Sequence, residues 1–109
     1  MADVTLGLAS GPGESTVLSV KLQMPAWELN LRATPEELAG LRAIRGSDWA
    51  ARRSLHIGQS AGSPVHWAMA EAGTAAVMVG ADDETWDFAV MVPLASVDRI
   101  VAAVAAGEW

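Results

Sequence analysis

Two histidines, His56 and His66, are the only imidazoles in the chain. Between them runs Gly58-Gln59-Ser60-Ala61-Gly62-Ser63-Pro64, a small-residue stretch that reads as a loop joining two strands. If that hairpin centres near Ala61, the two imidazoles fall opposite each other on one face, where opposed Cβ atoms lie ~5 Å apart. Such a pair can share a metal ion or form a pH-sensitive couple. A metal would need a further ligand, and Asp87 has the matching face parity. The idea depends on register, because a slip of one residue sends the side chains to opposite faces. The alternative is a pair of ordinary solvated or hydrogen-bonded histidines.

Other clusters carry weaker signals. Asp82-Asp83-Glu84, with Asp87 close behind, could meet a cation or a basic partner. It lacks the alternating oxygen ligands and central glycine of a calcium loop, so it reads as a solvated turn. Arg42, Arg45, Arg52 and Arg53 surround Trp49. Arginine beside an aromatic ring can bind anions, although pairing with nearby acids is the plainer reading. The loop from Gly58 is not a phosphate-binding loop, since no Gly-Lys-Ser/Thr follows. It is taken as a flexible hairpin loop rather than a hydrolase elbow, which sits on a strand-to-helix turn. No cofactor is expected.

Bulk properties narrow the classes further. The 109 residues fit one domain, residues 1–109, able to bury a core without staples. With no cysteine, a disulfide framework, a thiolate metal site and a thiol nucleophile are excluded. The net charge of −6 disfavours nucleic acid and anionic membranes and suits a basic protein partner. The start, Met1-Ala2-Asp3-Val4, lacks a basic segment followed by an apolar run, and no long apolar stretch occurs. A cytoplasmic location is the expectation. The alanine-rich, lysine-poor style suggests a GC-rich bacterial coding sequence.

The elements that must position these groups are legible. Val4 to Leu8 alternates apolar and small residues, and Gly11-Pro12-Gly13 breaks it. Leu18, Val20, Leu22 and Met24 alternate with polar residues, and Trp27, Leu29 and Leu31 do so again after Pro25-Ala26. Thr34, Pro35 and Glu37 form a capping box with proline at the first helical position. Leu38, Leu41 and Ile44 follow at helical spacing up to Gly46. Four more strands follow, near residues 54–57, 65–70, 75–79 and 86–92, separated by short turns that imply antiparallel pairing. Ser96 is read as the cap of a last helix carrying Val97, Ile100, Val101 and Val104 on one stripe. The order β-β-β-α-β-β-β-β-α predicts an α+β two-layer fold, a mainly antiparallel sheet with both helices on one face.

The second face of that sheet carries the functional expectation. Its N-terminal half is polar, with Ser19, Lys21, Gln23, Glu28, Asn30 and Arg32. Its C-terminal half is not, with Ala68, Ala70, Ala76, Met78, Ala89 and Met91. Trp27, Trp67 and Trp86 fall on the opposite, core parity. A water-facing strand usually carries Thr, Lys or Glu, so an alanine- and methionine-lined half-sheet reads as an interaction surface. Partner contact is assigned to Ala68, Met78, Ala89, Met91 and Asp87. The chain is therefore read as a non-enzymatic protein-binding domain: a small acidic inhibitor, an immunity-type protein or an adaptor. Its partner would be another protein or a second copy, met through the sheet. Cover of this face by a loop, the N-terminal segment or a helix of the chain itself is the competing outcome. A small enzyme or metal-binding protein using His56, His66 and Asp87 is the alternative function.

Overall fold

A computed structural model describes residues 3–109; Met1 and Ala2, half of the start read as lacking an export signal, lie outside the described residues. Alternating apolar residues make seven strands: β1 (Asp3–Leu8), β2 (Leu18–Met24), β3 (Trp27–Ala33), β4 (Leu55–Ser60), β5 (Ser63–Met69), β6 (Thr74–Gly80) and β7 (Trp86–Pro93). They form one sheet in sequence order, each antiparallel to the next. Helix α1 (Pro35–Ala39), a 3₁₀ stretch (Gly40–Gly46) and helix α2 (Leu94–Ala105) pack on one face. The α+β architecture is as the residue pattern predicts. Among the described residues no helix is long and apolar enough to cross a membrane.

The core lies between sheet and helices. Leu18, Val20, Leu22, Leu31, Val65, Trp67 and Val77 point inward and meet Leu38, Leu41, Ile44, Val97 and Ile100, all fully buried or nearly so. Helix α2 contacts β1 at one edge of the sheet and β6 and β7 at the other. A sheet whose two edge regions both reach one helix must curl around it, which is the direction that strand twist favours.

The capping box forms as the sequence requires: Glu37 N–H donates to Thr34 Oγ1 (3.1 Å), and Thr34 N–H donates to Glu37 Oε1 (3.0 Å). The helix does not run on to Gly46 in α form. It tightens to 3₁₀ at Gly40, where a residue poor in helix propensity sits in the middle of the run. Helix α2 departs from expectation at its start. It begins at Leu94 after Pro93, and Ser96 lies inside it, buried, with its hydroxyl unpartnered. Proline ends β7 and its fixed φ suits the entry to a helix, so the cap falls earlier than the serine. The apolar stripe itself is as expected, with Val97 and Ile100 buried and Val101 and Val104 packed against the core.

The small-residue stretch after His56 is not a loop. Strand β4 continues to Ser60, β5 starts at Ser63, and only Ala61-Gly62 turn, both with positive φ (50° and 84°). That is the backbone of a tight hairpin turn whose twist matches the strands. Within β4, Ile57 and Gly58 both face the single residue Val65, a bulge between the pairs His56–His66 and Gln59–Pro64. Gly58 has φ +83°, and a Cβ there would lie 2.8 Å from the Arg32 carbonyl oxygen. The bulge frees two backbone groups, and both find partners. Gly58 N–H donates to Glu37 Oε2 (3.4 Å), and the Ile57 carbonyl accepts from Trp67 Nε1 (3.0 Å).

Two glycines in one hairpin therefore differ in what a methyl would meet. Gly62→Ala meets open space and costs the strain of positive φ alone, about 1 kcal/mol. Gly58→Ala adds overlap with the β3 backbone and is expected to cost about 2–3 kcal/mol. Chemical denaturation of the two variants checks the order.

Candidate functional site

The outer face, opposite the helices, is built in rows across β4 to β7. One row is His56–His66–Met78–Ala89, and the next is Ala68–Ala76–Met91. The rows are those the sequence expects, but they are not open. Ala68, Ala76 and Met78 are fully buried, in a second apolar cluster with Trp49, Ala70 and Ala89. The expectation of an uncovered alanine- and methionine-lined face is thus corrected for Ala68 and Met78, which cannot touch a partner while this cover is in place.

Two segments supply the cover. After the 3₁₀ stretch, Ser47 Oγ accepts from Met69 N–H (2.9 Å) and Trp49 N–H donates to the Met69 carbonyl (2.9 Å). This fixes the 47–54 segment beside the end of β5 and sets the Trp49 ring on the small residues. The second segment is the acidic turn, residues 81–85. Ser54 Oγ donates to Asp83 Oδ2 (2.9 Å), and Arg52 Nη1 donates to the Asp83 carbonyl (3.1 Å). Ser54 precedes Leu55, which pairs with Trp67, whereas the turn leaves β6 at the far end, beyond Gly80. To reach Ser54 the turn must lean back along the sheet by several residues, each ~3.4 Å of strand. Gly80 permits the bend: a Cβ there would sit 2.4 Å from Trp86 Cα. Cover by the chain itself, the competing outcome of the sequence reading, is thus what the structure shows; residue pattern does not name the covering segments, because the hydrogen bonds that fix the acidic turn join residues about thirty positions apart.

The two imidazoles are directly opposed, as expected, with ring centroids 5.0 Å apart and planes tilted by 31°. His56 is exposed and His66 is 7% exposed, with Nε2 buried and without a hydrogen-bond partner. Asp87 does not group with the two imidazoles, and the acid whose carboxyl is influenced by His66 is Asp82. Asp82 Oδ1 accepts from the N–H groups of Glu84 (2.8 Å) and Thr85 (2.7 Å), which hold its carboxyl below the ordinary 3.8, with a smaller contribution from His66. Asp87 is exposed at a second bulge, where Trp86 pairs with Gly80 and Phe88 with Val79. Among the described residues no group of three or more His, Cys, Asp and Glu is placed to hold a metal.

That second bulge also overturns the reading of Trp86 as core. The extra residue shifts the start of β7, and Trp86 is 37% exposed. Phe88 keeps core parity beside Val79 yet is 44% exposed. Met91, on the outer face, is 45% exposed. Trp67 is fully buried as expected, and Trp27 packs at the margin of the core. Strand β7 is an edge of the sheet, so its outer backbone groups have no strand partner among the described residues. Next to Met91 a groove of about 420 Å³ is lined by Trp49, Met69 and Met91, with Asp48 and Glu71 on its rim.

Two of the four arginines of the strip pair with carboxylates, and a third takes a backbone carbonyl. Arg45 makes a two-pronged contact with Asp98 (2.9 and 2.8 Å), Arg53 lies 3.9 Å from Asp48, and Arg52 takes the Asp83 carbonyl. The Arg45–Asp98 contact raises the arginine pKa and lowers that of the carboxyl.

A larger, polar cleft of about 590 Å³ follows the seam between β3 and β4, which pair only at Arg32–Gln59. Arg32, Glu37, His56 and Gln59 line it. Gly58-Gln59-Ser60-Ala61-Gly62 has the spacing Gly-x-Ser-x-Gly. It is strand and hairpin, however, and Ser60 Oγ donates to the Asn30 carbonyl (2.7 Å). The exposed strand-to-helix turn of a nucleophile elbow is not formed. No protein family, curated protein or solved structure matches the chain.

Because the folded state holds Asp82 below its ordinary value, its carboxylate stabilises the fold above that value, and the benefit is lost as pH falls through the lower, folded-state one. Asp82→Ala is expected to melt earlier than the parent at neutral pH. The two melting curves should converge in strong acid, read by thermal denaturation across pH.

Proposed function

We propose that this chain is a non-enzymatic protein-binding domain whose contact surface is β7 and the outer face beside it. The observation that carries the reading is the exposure of Trp86, Phe88 and Met91 along a strand with an unpaired edge. Edge strands of soluble proteins are normally blunted by lysine, interior proline or repeated charge. Strand β7 has no lysine, its proline comes last, and its one charge is Asp87. Large aromatic and methionine side chains are the groups that dominate protein contacts. Met91, Ala89 and Asp87 from the expected contact set lie on this surface, and Trp86 and Phe88 join them. Met78 and Ala68 support it from beneath. The acidity of the chain and of the adjacent turn fits an inhibitor or adaptor that meets a basic protein.

The test is affinity capture from the source cells with the parent and with the Phe88→Lys/Met91→Lys double variant. Both positions are exposed, so the variant should fold. A protein retained by the parent and lost with the variant is the expected result. Equal retention by both would remove β7 from the contact surface.

A second reading, a metal- or ligand-binding role for the histidine pair, is favoured by one observation: the buried, unpartnered Nε2 of His66 in a ring whose centroid lies 5.0 Å from that of His56. An orphaned buried nitrogen is the kind of group that an ion or ordered water satisfies. Binding to the folded state alone would raise the melting temperature. Under this reading zinc or nickel chloride raises it for the parent and not for His66→Ala. No shift in the parent disposes of the reading.

A further inference from the structure

Resting on the protein-binding reading and deepening it, we infer that the groove beside Met91 takes a basic side chain of the partner protein, with its aliphatic stem on Trp49, Met69 and Met91 and its cationic head at Glu71.

The groove lies where the 47–54 segment, the turn from β5 to β6, and β7 meet. Main-chain bonds hold its walls. Trp49 N–H donates to the Met69 carbonyl (2.9 Å), which joins the first segment to the end of β5. Thr74 N–H and Thr74 Oγ1 both donate to the Glu71 carbonyl (3.0 Å each), which closes the turn that carries Glu71. A site built this way is ordered before a partner arrives, so little ordering cost falls on binding. Its volume of about 420 Å³ is within the range of ligand pockets, roughly 300–1,000 Å³. The walls are one indole and two thioethers. Tryptophan is the aromatic side chain that best attracts a cation, and methionine adapts its shape to an alkyl stem.

Charge selects among occupants. Both ionisable groups lining the groove are acids, Asp48 and Glu71. Asp48 is engaged: its Oδ1 accepts from the N–H groups of Ala50 (3.0 Å) and Ala51 (3.4 Å), and its Oδ2 lies 3.9 Å from Arg53. The exposed carboxylate of Glu71 has no ion-pair partner among the described residues. An apolar side chain seated here would strip water from that carboxylate and return nothing. An acidic one would add repulsion. A basic one replaces the lost water with a charge-assisted hydrogen bond and lays its methylenes on the apolar walls. The net charge of −6 draws such a partner toward the chain.

Position points the same way. Met91 belongs to the groove and is also 45% exposed on the outer side of β7, so a protein lying on that strand reaches the groove without a separate contact area. The polar cleft along the β3–β4 seam makes no such selection. Arg32 lines it together with Glu14 and Glu37, charges of both signs.

The experiment uses the pure protein and a defined probe, arginine capped at both ends (Nα-acetyl-arginine amide), with capped leucine as the comparison. Nuclear magnetic resonance follows the Trp49 indole N–H and the Met91 methyl group. Capped arginine is expected to shift both signals to saturation, and capped leucine to bind more weakly. Glu71 is exposed, so Glu71→Lys should keep the parent's melting temperature. The variant turns attraction into repulsion, each worth at most about fivefold at an exposed site, so binding about tenfold weaker is expected. Glu71→Gln, which removes attraction only, should fall between the two. Shifts that do not saturate overturn the inference. So does capped leucine binding as tightly as capped arginine, or an unchanged affinity in Glu71→Lys. The probe stands in for the partner, so this outcome is independent of the capture assay. No arginine binding, beside a protein captured by the parent and lost with Phe88→Lys/Met91→Lys, removes the groove and leaves the β7 reading. Saturable arginine binding weakened by Glu71→Lys, beside equal capture by parent and double variant, keeps the groove and retires the β7 reading.

Discussion

One extra residue in β4 ties the two halves of the molecule together. The bulge at Ile57 and Gly58 turns two backbone groups out of the β4–β5 ladder, and each is used. The freed N–H of Gly58 goes to Glu37, which also closes the cap of α1, so the helical layer is fastened to the sheet at a single carboxylate. The freed carbonyl of Ile57 takes the indole N–H of Trp67, allowing a tryptophan to be fully buried without an orphaned donor. Only glycine fits at position 58, because the Arg32 carbonyl occupies the space a side chain would need. The seam between β3 and β4 has one ladder pair, and these cross-links take over where the ladder is thin.

The outer face shows how a small chain hides surface without a third layer. The helices serve one face only, and the C-terminal strands would otherwise expose Ala68, Ala76 and Met78. A turn carrying Trp49 and an acidic turn that leans back toward Ser54 do the covering instead. Small residues are what such a cover needs: a flat alanine floor lets one indole ring pack closely over several strands. The cover stops short of β7. There Trp86, Phe88 and Met91 remain accessible on an unpaired edge, so the apolar character of the half-sheet is concealed over β5 and β6 and displayed at its margin.

Much of this was legible in the residue pattern because it depends on neighbours in sequence. The period-two alternation of Leu18, Val20, Leu22 and of Leu29, Leu31 places those residues in the core. Thr34-Pro35-Glu37 marks the start of α1 to the residue. The spacing of His56 and His66 sets the imidazoles opposite each other. Parity failed where a bulge inserted a residue, as at Trp86. Nor does parity by itself bury a ring: Phe88 has core parity and a solvent-exposed side chain.

Local chemistry in the sequence thus fixed the class of fold, the capping of α1, the antiparallel meander and the facing histidines. Each of these follows from contacts within a hairpin or a helical turn. Tertiary structure alone decided which apolar surface stays open, that Asp87 does not join the two imidazoles, and that the small-residue stretch after Gly58 is strand rather than loop. Those outcomes rest on hydrogen bonds such as Ser54 to Asp83 and Gly58 to Glu37. Such bonds join segments distant along the chain, and no periodicity in a single sequence encodes which pairs will meet.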